Sequence, residues 1–231
     1  MNFSTTQTIE IETAPDPRYS VIWLHGLGAS ADDFVPVVNE LKKSGVHAIR
    51  FIFPNAPSIP VTVNGGYVMP AWYDILSMSG LSRQVDHQGI VDSIAIVDTL
   101  ITQEVARGVP SEHIFIAGFS QGGAIAYTAA LTHGKRLAGV IALSTYIPEP
   151  EWLKAQFNAI QTNLPIFTAH GTHDPVVPFA LGQQAATLAT ALGASVNWHH
   201  YPMQHQVCLE QIQDIDTWLS NHITLASNAA D

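Results

Sequence analysis

Residues 113–132 read HIFIAGFSQGGAIAYTAALT, and this stretch decides the fold class. An apolar, β-branched run ends at Gly118, and a run with helical spacing begins at Gln121. Between them Gly118-Phe119-Ser120-Gln121-Gly122 supplies a G-x-S-x-G turn. A strand, a sharp turn and a helix in that order lift the serine oxygen above the C-terminal edge of a sheet. The helix that follows aims its first N–H groups and its positive dipole end at the same point. Ser120 is therefore the candidate nucleophile. A serine that only caps the helix is the structural alternative.

The same alternation extends in both directions. Strands are predicted at Thr8–Glu12, Ser20–Leu24, Ala48–Phe53, His113–Gly118, Gly139–Ser144, Pro165–Ala169 and Ser195–Tyr201. Helices are predicted at Asp32–Lys43, Asp86–Arg107, Gln121–Thr132, Phe179–Leu192 and Cys208–Leu225. Short apolar runs alternating with helical stretches give an α/β protein with a mostly parallel sheet covered on both faces. No repeat or linker divides residues 1–231, so a single domain is expected. Residues 54–85 break the pattern: they lack sustained periodicity yet carry Trp72, Ile75, Leu76 and Met78. A long stretch of this kind suggests a wall or lid over a site.

Composition narrows the function. Nine basic against nineteen acidic residues give a net charge of −10, which argues against nucleic acid as a partner. The single cysteine, Cys208, allows no internal disulfide and reads as packing. No run approaches the ~20 apolar residues of a membrane span, and the first residues lack a secretory pattern, so a cytoplasmic protein is expected.

A serine hydroxyl needs a general base, and the base needs an orienting acid. Downstream of Ser120, Asp174 follows the run PIFTA within HGTHDPVVP and sits where a loop leaves the same sheet edge; Glu149 is the alternative acid. His205, in YPMQHQ after the last strand, is a histidine in a loop able to reach that edge. Histidines 170, 173, 199 and 200 invite a metal reading, but no H-E-x-x-H or cysteine cluster accompanies them, and no metal is expected.

A rival class rests on Gly26-Leu27-Gly28-Ala29-Ser30-Ala31, which fits the dinucleotide fingerprint G-x-G-x-x-G/A. Its acidic ribose partner is missing about 20 residues on. Arg50 would have to meet the 2′-phosphate of NADP instead. In a hydrolase the same turn leaves the Leu27 N–H free as an oxyanion donor.

Together, LHGLGAS with ADDF, PNAPSIPVTVNGGYVMPAWYDI, GFSQGGAIA, ALSTYIP, HGTHDPVVP and the MQH segment resemble the acyl-protein thioesterases and related small bacterial carboxylesterases of the α/β-hydrolase fold. The resemblance covers nearly the whole chain. It implies a triad of Ser120, Asp174 and His205, with oxyanion donors on Leu27 and Gln121, and no cofactor. It also implies an acyl groove lined by Trp72, Ile75, Leu76, Met78, Tyr146, Val176 and Phe179. Ala29, Pro70 and Tyr146 stand where the family usually has an acidic residue, a basic residue and a tryptophan. The expected activity is cleavage of carboxylic esters, thioesters included, in a small ester, a lysophospholipid or an acylated protein. A non-catalytic binding member of the same fold is the further alternative. A low-charge surface beside an apolar groove also suggests a homodimer.

Overall fold

The computed structural model describes residues 8–228, with side chains described through residue 223. Eleven strands follow in chain order: β1 (Thr8–Glu12), β2 (Tyr19–Leu24), β3 (Ile49–Pro54), β4 (Ser58–Val61), β5 (Tyr67–Pro70), β6 (Ile75–Ser79), β7 (Ser82–Val85), β8 (Ile114–Phe119), β9 (Gly139–Leu143), β10 (Pro165–Gly171) and β11 (Ser195–Tyr201). The α-helices are α1 (His87–Ala106), α2 (Gln121–Thr132), α3 (Pro150–Gln156), α4 (Phe179–Ala191) and α5 (Leu209–Asn228).

Seven strands form one sheet in the order β1-β3-β2-β8-β9-β10-β11. Only β1 is antiparallel to its neighbour. Because strand side chains alternate, β8 sends Ile114 and Ile116 to one face, and Phe115 and Ala117 to the other. The first face packs on α1, α2, α3 and α4, and the second on α5 and residues 34–41. A sheet buried on both faces explains why β2, β3 and β9 consist wholly of buried residues. Helix α2 lies deepest: Gln121–Leu131 is buried throughout, and its Gly and Ala residues allow that close packing.

Two expectations change. The helix predicted at Asp32–Lys43 is a 3₁₀ helix over Val35–Glu40. Pro36 and the β-branched Val35, Val37 and Val38 disfavour a regular α-helix there, although Phe34, Val37 and Leu41 still bury one stripe. Residues 54–85 are also more regular than predicted. They form two antiparallel hairpins, β4–β5 and β6–β7, neither of which pairs with the main sheet. Their turns pass through Gly65 and Gly66, and through Gly80, all at positive φ.

Candidate active site

The turn after β8 holds Ser120 at φ 54° and ψ −120°, a conformation few non-glycine residues adopt. Flanking glycines make this possible. A Cβ on Gly118 would stand 2.3 Å from the Gly122 carbonyl oxygen, and one on Gly122 would stand 2.4 Å from that of Leu24. The Ser120 N–H donates to the Leu143 carbonyl at 2.9 Å, and the Thr145 hydroxyl donates to the Ser120 carbonyl at 2.6 Å. The end of strand β9 and the loop just after it thus fix the strained residue from both sides.

Asp174 and His205 leave the sheet at the same edge, after β10 and β11. The Ser120 hydroxyl lies 3.0 Å from His205 Nε2, and His205 Nδ1 lies 2.7 Å from Asp174 Oδ2. The other carboxylate oxygen accepts the N–H groups of Val176 and Val177, each at 2.8 Å. Burial opposes ionisation of Asp174, but the bonds from His205, Val177 and Val176 outweigh it and hold the carboxyl below its ordinary range. An ionised Asp174 fixes the tautomer: Nδ1–H donates to the carboxylate, and Nε2 is left to accept the serine proton. Phe119 lies against the imidazole, with ring centroids 4.7 Å apart.

Two further histidines hold neighbouring loops as neutral rings. His25 Nε2 accepts the Ala56 N–H at 3.0 Å, so its Nδ1–H donates to the Gly26 carbonyl at 2.7 Å. His170 Nε2–H donates to the Val177 carbonyl at 2.9 Å. Burial depresses the basicity of both rings. Glu149, the alternative acid, faces His87 at 2.6 Å instead. Among the described residues, no three His, Cys, Asp or Glu side chains come together as a metal-binding group.

Ser120, Gln121 and His205 line a cavity of about 300 Å³. Gly26, Leu27, Ala29, Asp33, Val63, Asn64, Ile75, Met78, Arg83, Phe119, Tyr146, Val176 and Val177 complete its lining. Ile75 and Met78 would face opposite ways on a straight strand. The register shift between Ile75 and Ser77 brings them to one side. Leu76 instead points away and is 45% exposed.

Trp72 and Phe179 do not line the cavity. Trp72 is buried in the core, where its indole N–H donates to the His25 carbonyl at 2.8 Å. Phe179 packs on Trp198 and on the edge of His170. Arg83 and Thr145 were not singled out from sequence. Arg83 carried one signal, as the sole basic residue in the stretch 54–85.

Arg50 is unavailable to a nucleotide. It is buried between β1 and α1, donating to Glu104 at 2.7 Å and to Glu12 at 2.9 Å. Residues 6–223 match the phospholipase/carboxylesterase family. The chain belongs to that family. It is 37% identical over 216 residues to acyl-protein thioesterase 1 of Cryptococcus neoformans, covering 87% of this chain and 90% of that one. A probable carboxylesterase of Oryza sativa is 35% identical over 209 residues, covering 89% and 78%. Among solved structures, Arabidopsis thaliana SOBER1 superposes with a TM-score of 0.84 at 31% identity, covering 89% of this chain and 99% of that one. The family member described here thus has the α/β-hydrolase fold, with its cavity at the C-terminal edge of the sheet. Among the described residues, no helix is long and apolar enough to cross a membrane.

Proposed function

We propose that this protein hydrolyses carboxylic esters and thioesters of apolar acyl chains through Ser120, His205 and Asp174. The observation that carries the reading is the position of one imidazole, 3.0 Å from a strained serine hydroxyl and 2.7 Å from a buried carboxylate. The named activities of the thioesterase and carboxylesterase relatives point the same way.

In this reading, His205 Nε2 takes the Ser120 proton as Oγ attacks the acyl carbon. Asp174 stabilises the resulting imidazolium through Nδ1–H. The new oxyanion lies against the N–H groups of Leu27 and Gln121. Gln121 opens α2, where a helix has no internal acceptor for its first N–H. Each such donor contributes about 10²–10³ in rate. Collapse expels the alcohol or thiol, protonated by His205. The imidazole then activates a water that attacks the acyl-enzyme, and Ser120 regains its proton. Ile75, Met78, Tyr146 and Val176 are proposed to hold the acyl chain.

The experiment is Ser120→Ala, assayed on 4-nitrophenyl butyrate. Turnover should fall by several orders of magnitude, and a fluorophosphonate probe should label only the unaltered protein. Wild-type-like turnover in the variant excludes the mechanism.

A further inference from the structure

The second hairpin and the loops beside it bring the apolar Ile75, Met78, Val176 and Val177 to the cavity, and with them the polar groups of Arg83 and Tyr146. Arg83 stands directly opposite Met78 in the β6–β7 register. Cross-strand partners leave a hairpin on the same face, and both residues line the cavity. The guanidinium is held by three backbone carbonyls: Gly80 at 2.9 Å, Ser82 at 3.0 Å and Val176 at 3.3 Å. Five N–H groups less three leaves two. No ion pair among the described residues occupies them.

Tyr146 adds another donor. Its hydroxyl lies 2.9 Å from that of Tyr73, and either oxygen can be the donor. Two hydroxyls have two protons, and the bond between them uses one. Tyr73 is fully buried, so an unpaired proton there would be costly. With Tyr73 donating, the remaining O–H belongs to Tyr146, which borders the cavity. Burial keeps both phenols protonated. Arg83 is close enough to act electrostatically on both. A guanidinium edge and a hydroxyl donor thus border the same cavity, beside the apolar Ile75, Met78, Val176 and Val177. Their complement is an acceptor with negative charge, and a planar carboxylate matches the guanidinium edge best. Asp33 also lines the cavity, and its carboxylate disfavours an anion beside it, which leaves the Arg83–Tyr146 side for a charged acceptor.

We infer that Arg83 and Tyr146 recognise a carboxylate at the far end of the acyl chain, so that half-esters of short dicarboxylic acids are preferred substrates. This deepens the proposed hydrolase reading and rests on it. The cavity volume, at the low end for ligand sites, fits a short chain.

The test compares the mono-4-nitrophenyl ester of adipic acid with 4-nitrophenyl hexanoate, which share a leaving group and chain length. The unaltered protein should show kcat/KM for the acidic ester at least equal to that for the neutral one. Arg83→Gln should lower the acidic-to-neutral ratio about tenfold or more. Tyr146→Phe should lower it less, and Arg83→Lys should recover part of the loss. A role limited to bracing the hairpin would leave this ratio alone. A wild-type preference for the hexanoate ester, or a ratio within twofold of wild type in both Arg83→Gln and Tyr146→Phe, overturns the inference while leaving the hydrolase reading intact. Failure to cleave either ester, with no fluorophosphonate labelling of Ser120, overturns both.

Discussion

The side chain of Gln121 clamps the backbone at Trp72: its Oε1 accepts the Trp72 N–H at 2.8 Å, and its Nε2 donates to the neighbouring Tyr73 carbonyl at 2.7 Å. The first residue of α2 thereby ties the Ser120 turn to the segment between the two hairpins. Gln121→Ala keeps the backbone N–H proposed for the oxyanion but releases this clamp. We expect kcat/KM on 4-nitrophenyl butyrate to fall about tenfold, with fluorophosphonate labelling retained. Unchanged kinetics would show that the clamp has no bearing on the site.

Asp174→Asn should preserve the fold and lower kcat by about 10⁴, because an amide presents the wrong partner to Nδ1. It should also alter acid stability. The folded carboxyl ionises below its ordinary 3.8. Its stabilisation is therefore present above that value and is lost as pH falls through the lower, folded value. Denaturant titrations should show the wild-type advantage over the variant shrinking across that acidic window; an advantage independent of pH contradicts the assignment.

Gly122→Ala should be far more damaging to the fold than Ser120→Ala. The added methyl would meet the carbonyl oxygens of Leu24 at 2.4 Å and His25 at 2.5 Å, and backbone in a central strand has little room to yield. A loss of about 3 kcal/mol is expected. Comparison of melting temperatures checks it, and near-equal values for the two variants would contradict the steric argument.

Both buried imidazoles should titrate below the ordinary 6.5. A depressed value means that the unfolded chain binds protons first, so stability is full above 6.5 and declines as pH falls through the folded values. Proton NMR of the ring Cε1–H signals should place the midpoints of His25 and His170 below those of exposed histidines. Midpoints at or above 6.5 would refute the neutral-ring description.

Glu104 is 1% exposed and accepts Ser20, Arg50 and Arg107. Arg50→Met removes one countercharge and leaves the carboxylate buried. A cost of about 3–5 kcal/mol in urea unfolding is expected, and Glu104→Gln in the same chain should recover part of it. No loss in the single variant would show that the Arg50–Glu104 pair contributes nothing to the fold.

Much of the architecture was legible because the sheet is buried on both faces, so its strands stand out as apolar runs such as Ile114–Phe119. The G-x-S-x-G motif marked the sharp turn that carries Ser120 at the sheet edge, since few other sequences permit that backbone. What escaped notice depends on contacts distant in sequence. Trp72 reads equally as groove or core until its indole finds the His25 carbonyl, 47 residues away. Strand register decides that Arg83 faces Met78, and a one-residue irregularity decides that Ile75, but not Leu76, meets the cavity. Pro36, visible from the start, was outweighed by the helical spacing around it.

The two hairpins hydrogen-bond to none of the seven central strands. Their length and composition can therefore drift, or be exchanged wholesale between relatives, without disturbing strand pairing or the serine turn, provided that the Trp72–Tyr73 anchor is kept. A graft of residues 58–85 is therefore the natural unit with which to ask whether substrate preference travels with the hairpins.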